Sequence, residues 1–210
     1  MKITQSEFDS TEIAYQLLVE RFDYNLGKGI TFVDVGAGQP EFYSNSYKFR
    51  SLPENKIISI DANPNNCKMF EDLGYEILQY GVVKDDTLGE MTFREFPHNI
   101  YGLSWSSLAY HNEGPSDYYQ IEYQVPTLSL TSILKKHYPE TNSIDILDID
   151  TEGNELDVMD GLDFEFYNPK ILIIENTNPD PTIYHRYYEK IGYEIVAKAA
   201  HNDILIKKSI

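Results

Sequence analysis

The chain has 210 residues, 41% of them hydrophobic and 24% charged, with 17 Lys plus Arg against 34 Asp plus Glu, a net charge of −17. That length suits one globular domain with a real core, and the acidic balance, relieved by no Lys/Arg cluster, argues against nucleic acid and membrane surfaces as partners. The single Cys67 excludes an internal disulfide and suits a reducing compartment. Met1 to Glu20 carries no apolar leader and no run is long enough to span a bilayer, so the expected location is the cytoplasm.

Ser6 to Phe22 reads as an amphipathic helix, with Ile13, Leu17, Leu18 and Phe22 on one face, inside an N-terminal segment 1–29. ITFVDVG (30–36) is an apolar strand that runs into glycine. KIISIDANP (56–64) is a second and YEILQYGVV (75–83) a third, with MTFREF (91–96) an added β segment. Residues 97–124 are aromatic, polar and irregular, and are expected to form a lid over the strand ends. TLSLTSILKKHY (127–138) reads as a helix capped by Thr127 or Ser129. IDILDI (144–149) and KILIIEN (170–176) are buried strands, and YEIVAKAAHNDILIKK (193–208) alternates about a turn as an antiparallel hairpin does. No repeat, low-complexity tract or Gly/Ser linker divides the chain, so a single domain over 1–210 is expected.

Strands alternating with helices predict a mostly parallel α/β sheet covered on both faces, with ligands bound at the carboxyl ends of its strands. Asp34, Asp61, Asp150 and Glu175 each fall at the end of a predicted strand, and DILDIDTEGNE (145–155) packs five carboxylates into eleven positions. Carboxylates are disfavoured in a sheet interior, so this acid is either a solvated strand end or the rim of a site.

In DVGAGQP (34–40), Gly36 and Gly38 have the spacing that lets a backbone turn tightly against a ligand, although Glu41 stands where a dinucleotide fingerprint has its third glycine. Asp61, 23 positions after Gly38, has the spacing of a ribose-binding carboxylate or forms an Asx turn in DANP. A pyrophosphate is a poor neighbour for Asp34, whereas S-adenosyl-L-methionine brings a sulfonium and an ammonium. An adenosine-binding domain with this methyl donor follows, with a NAD-type oxidoreductase as the alternative.

VDVGAG (33–38), ISIDANP (58–64), GVVKDD (81–86), GLSWSSL (102–108), VPTLSL (125–130), IDILDIDTEGNELDVMDG (144–161) and ILIIEN (171–176) occur in the order of the motifs of the FkbM family of S-adenosylmethionine-dependent methyltransferases, which the chain resembles from about Thr31 to Asn176. The resemblance implies a Rossmann-like class I methyltransferase fold, with a seven-stranded, mostly parallel sheet and an antiparallel last strand. It implies methyl transfer to a hydroxyl of a small molecule or sugar. It places donor contacts on Asp34, Gly36, Ala37 and Gly38, on Asp61 and Ala62, and on Gly81 and Val82. Two departures stand out: Asp148 occupies a position where relatives carry lysine, and Gln39-Pro40 replaces an apolar-glycine pair. A fold retained only for binding is therefore a further alternative.

A hydroxyl acceptor must lose its proton to a base or a metal. Asp150 is read as that base or ligand, or else as the cap of the helix that follows; Glu152 is a further catalytic candidate, and both it and Glu155 fall near the helix start, where the dipole favours carboxylates and accounts for Glu155. Asp145 and Asp148 read as structural. Asp150, Glu175 and Asn176 also resemble the oxygen set of magnesium-dependent catechol-type methyltransferases, so Mg²⁺ is a possible second cofactor. His111 is a candidate base and Trp105, Tyr110, Tyr118, Tyr119 and Tyr123 candidate lid residues.

Overall fold

Short runs of Ile, Val and Leu closed by glycine, proline or acid become the strands of a central sheet in the computed structural model, which describes residues 9–25, 28–42, 44–95, 107–108 and 121–208. In chain order the elements are α1 (Ser10–Phe22), β1 (Thr31–Val35), α2 (Tyr47–Arg50), β2 (Lys56–Asp61), α3 (Pro64–Asp72), β3 (Leu78–Gln79), β4 (Gly81–Val83), β5 (Glu90–Glu95) and β6 (Ser107–Leu108). They continue with β7 (Ile121–Ser129), α4 (Leu130–His137), β8 (Ile146–Ile149), α5 (Glu155–Asp160), α6 (Phe164–Tyr167), β9 (Ile171–Glu175), α7 (Thr182–Lys190), β10 (Tyr193–Ala199) and β11 (Asn202–Lys207).

One sheet has seven strands in the order β10-β11-β9-β8-β1-β2-β3. β9, β8, β1, β2 and β3 are parallel, and β11 runs antiparallel to both β9 and β10, which is the expected C-terminal hairpin. The order in the chain reverses between β1 and β8, and such a switch point opens a crevice at the carboxyl ends of the strands.

Alternation along each strand feeds two cores. Val33, Val35, Leu147, Ile149, Leu172 and Ile174 pack with α4, α5 and α7 on one face. Phe32, Ile146, Ile171, Ile173 and Ile204 pack with Ala14 and Leu18 of α1 and Phe49 of α2 on the other. Asp145 ties the strand starts together: its carboxylate accepts the Thr31 N–H at 2.8 Å and meets Lys170 Nζ at 2.5 Å, a structural role as expected.

Tertiary contacts redraw several local expectations. YEILQYGVV is not one strand: the Tyr80 N–H donates to Asp61 O at 3.1 Å, β3 pairs with β2, and β4 leaves to pair with β7 in a second sheet, β4-β7-β5-β6. A Cβ on Gly81 would lie 2.9 Å from Leu108 Cδ2 and 3.2 Å from Thr127 Cγ2, so a side chain at the crossing would have to displace Leu108. Residues 127–129 extend β7, and the helix begins at Leu130, capped by Ser129, whose hydroxyl accepts the Ser132 N–H; Thr127 is not the cap. Residues 121–124 also belong to β7 rather than to an irregular lid. Helix α1 starts at Ser10 and buries Ala14 and Leu18, with Ile13, Leu17 and Phe22 only partly covered. Among the described residues, no helix is long and apolar enough to cross a membrane.

Candidate functional site at the carboxyl edge

The carboxyl ends of β9, β8, β1 and β2 are neighbours, so Glu175, Asp150, Gly36 and Asp61 follow one another along the edge. Here the β1 turn is built from backbone. Gly36 (φ 80°) and Gly38 (φ 58°) are left-handed, and the N–H groups of Gly36 and Ala37 both donate to Ile60 O, at 2.9 and 3.2 Å. At Gly36 an added Cβ would sit 1.8 Å from Asp150 O, so only glycine lets the turn lie against the end of β8. At Gly38 the same atom would meet nothing nearer than Gly36 O at 3.9 Å, leaving space above the turn.

Asp61 closes this turn from β2. Its Oδ2 accepts the Gly38 N–H at 2.8 Å and Asn66 Nδ2 at 3.2 Å, and its Oδ1 accepts the Asn63 N–H at 2.7 Å, so the Asx turn and the link to the glycines coexist. Burial pushes the carboxyl up to about 6 against the pull of these bonds. Asn63 caps α3 by accepting the Asn65 N–H, with Pro64 at the first helical position, where its missing N–H costs nothing. Ala62 packs on a small core of Val83, Phe93, Leu108 and Val125 that joins the second sheet to this corner. Glu95 strengthens the joint by accepting from Asn63 Nδ2, Asn65 Nδ2 and Tyr123 O–H at 2.8 to 3.0 Å.

Asp34 behaves differently from the strand-end acid expected. β1 continues past it to Val35, and its side chain lies buried, with Ser46 Oγ donating to Oδ2 at 2.5 Å and Arg50 Nη2 at 3.7 Å. Arg50 also donates to Ser46 and Ser59 and lies 4.8 Å from the Phe70 ring centre. Burial outweighs both partners and holds the Asp34 carboxyl above the ordinary range. Asp148 stands beside Asp34 in register, on the same sheet face, so this strand pair carries a second buried acid.

The acid end at β8 and β9 is built from side chains. Asp150, Glu152 and Glu175 each bring one carboxylate oxygen to within 4.8 Å of the others. Glu152 lies in a loop at φ 56°, and α5 begins only at Glu155 after Asn154, so neither Asp150 nor Glu152 belongs to a helix start. The capping alternative for Asp150 is thus corrected: the chain needs four more residues to turn into the helix. Asn176, expected beside Asp150 and Glu175, is held through Nδ2, which donates to Asp203 Oδ2 at 2.8 Å, while Glu152 joins the two acids in the carboxylate trio. On the other side Asn154 Nδ2 donates to Val82 O at 2.7 Å, joining the loop to Gly81–Val83. Asn154, Glu155 and Arg50 were not among the expected site residues; only their contacts across the fold reveal them. His111, with Trp105, Tyr110, Tyr118, Tyr119 and most of the 97–124 segment, lies outside the described residues.

A glycine turn and a following strand-end acid, at the switch point of a seven-stranded sheet with an antiparallel member, define a Rossmann-like α/β methyltransferase fold. The FkbM methyltransferase domain matches residues 34–195, and the chain belongs to this family of S-adenosyl-L-methionine-dependent methyltransferases. That membership sets aside the oxidoreductase alternative. No curated protein matches the chain. Among solved structures, a Methanococcus maripaludis protein provisionally assigned as an S-adenosyl-L-methionine-dependent methyltransferase is 13% identical, with 95% of this chain and 85% of that one covered and a TM-score of 0.40.

Proposed function

We propose that this methyltransferase, acting as one cytoplasmic domain, methylates a hydroxyl oxygen of a small molecule or sugar. The observation that carries the reading is the convergence of Asp150, Glu152 and Glu175 beside the glycine turn. A hydroxyl is a weak nucleophile until its proton has an acceptor, and a strand-end carboxylate next to the donor turn supplies one.

S-adenosyl-L-methionine supplies a methyl group on a cationic sulfur. The residues present fit it. The turn of Gly36, Ala37 and Gly38 leaves open space over Gly38, and Asp61 already accepts three bonds, which leaves a carboxylate capacity for a ribose hydroxyl. Ala62, Gly81 and Val82 form the adenine side, while Asp34, buried and bound to Ser46 and Arg50, supports the turn rather than touching the donor. Asp150 takes the proton of the acceptor hydroxyl, and Glu152 keeps the position next to the donor cation acidic; His111 is a second candidate base.

A second reading adds Mg²⁺, favoured by the all-oxygen trio of Asp150, Glu152 and Glu175, the donor class that ion prefers. Asp150 and Glu175 would hold it, and it would supply charge to lower the acceptor's proton affinity.

Methyl-labelled donor and a panel of sugars, phenols, small alcohols and amines test the proposal. Acceptor-dependent label on an oxygen is the expected result. Label confined to amines, or none on any acceptor, overturns it. Activity that survives exhaustive chelation removes the Mg²⁺ reading alone.

A further inference from the structure

Glu155, the first residue of α5, is 1% exposed, and both its oxygens are engaged. Oε1 accepts the Thr151 N–H at 3.0 Å, the Thr151 hydroxyl at 3.0 Å and the Gly153 N–H at 2.9 Å; Oε2 accepts the Tyr184 hydroxyl at 2.6 Å. A carboxylate that served only the helix dipole would need none of these bonds, three of which reach back into the preceding loop. Between the two amides sits Glu152 at φ 56°, followed by Gly153 at φ 104°. A non-glycine residue persists in the left-handed region only where its surroundings over-determine it, and here the clamp on both of its neighbours does so.

The same loop is wedged into the donor edge. The Asp150 N–H donates to Val35 O at 3.0 Å, Asn154 Nδ2 holds Val82 O, and an added Cβ on Gly36 would lie 3.3 Å from Thr151 Cγ2. Behind it, Tyr184 anchors Glu155 to α7. Burial and the neighbouring Glu155 push the Tyr184 phenol far up, so it remains an O–H donor.

We propose that Glu155 is the positioning residue of the methyl-transfer centre: by clamping Thr151 and Gly153 it sets the turn that delivers Glu152 to Asp150 and Glu175. The functional half of this inference rests on the proposed role of those acids, while the structural half does not.

Two variants of the full chain separate geometry from charge. Glu155→Gln removes the charge but keeps an oxygen for Thr151 and Gly153, and the Tyr184 hydroxyl can rotate to accept from its amide. Glu155→Asp keeps the charge at the helix start but shortens the reach by one methylene. Amide hydrogen exchange at Thr151 and Gly153 is the direct readout, with Leu147 and Ile149 of β8 as internal reference. The expected result is protection within about threefold of the parent in Glu155→Gln, and a loss of about tenfold or more confined to the loop in Glu155→Asp. With the acceptor found by the screen, kcat should follow the same order while the donor KM stays within about threefold.

Loop amides that stay protected in Glu155→Asp, or are lost in Glu155→Gln, overturn the proposal. Should Glu155→Asp fail to fold, retained protection in Glu155→Gln still supports the clamp and lost protection still refutes it. Asp150→Asn tests the acceptor role separately. Full activity in that variant, with the expected exchange pattern, would remove Asp150 as the acceptor's base and leave the clamp standing.

Discussion

The two ends of the carboxyl edge are made of different material. At β1 and β2 the site is main chain: two left-handed glycines, amides turned onto Ile60 O, and one buried carboxylate receiving amides. At β8 and β9 it is side chain: three carboxylates carried on a strand end, a loop and a neighbouring strand. A main-chain site is intolerant of added volume, because the backbone has nowhere to go. A side-chain site tolerates a change of atoms at constant shape and is sensitive to charge.

The sharpest way to break this contrast is Gly36→Ala. The new methyl would meet Asp150 O at 1.8 Å on a residue with φ 80°, so strain and overpacking together should cost about 3 kcal/mol or more. Thermal melting and calorimetry with S-adenosylhomocysteine should show lost stability and no measurable donor binding; a well-folded, donor-binding Gly36→Ala would mean the turn is looser than it looks.

Asp150→Asn is the complementary test, since it keeps the shape and removes the charge. Turnover should fall by about two orders of magnitude, the range of a lost general base, with donor affinity nearly intact. A fully active variant would make Asp150 a spectator.

Asp61→Ala comes next and probes the carboxylate that closes the donor turn. Losing hydrogen bonds to a charged group should weaken donor binding by about 1.5–3 kcal/mol in calorimetry. Unchanged affinity would leave the donor site to the main chain alone.

The smallest effect is the pH dependence of Asp61. Its carboxyl, raised from 3.8 to about 6 by burial, is ionised above that pH and protonated below it. Between pH 8 and pH 5, donor affinity should therefore drop by about tenfold in the parent and stay flat in Asp61→Asn. The stability contribution has the opposite sign. A folded-state value above the unfolded one stabilises fully below 3.8 and is lost as the pH rises through about 6. Acid thus weakens donor binding while relieving the cost of the buried charge, a pairing visible as the difference in melting temperature between parent and Asp61→Asn across that window.

Sequence alone placed Asp61 and Asp150 at the ends of buried strands, because apolar runs, glycine punctuation and acid are local signals that survive without knowledge of the fold. The parallel sheet and its closing hairpin were legible for the same reason: strand period and helix period differ, and both are read over a few residues. The break at Tyr80 was not legible, because the strand YEILQYGVV is continuous in hydropathy and is divided only by two partners from different sheets. Nor could the sequence say which carboxylates face the site. Asp34 is committed to Arg50, while Glu155 reaches Tyr184 at a separation of 29 residues and its neighbour Asn154 reaches Val82 at 72. A hydrogen-bonding side chain has several chemically equivalent partners along a chain, and only the tertiary structure, by bringing one of them to within 3 Å and burying the pair, decides which carboxylates are structural and which remain for chemistry.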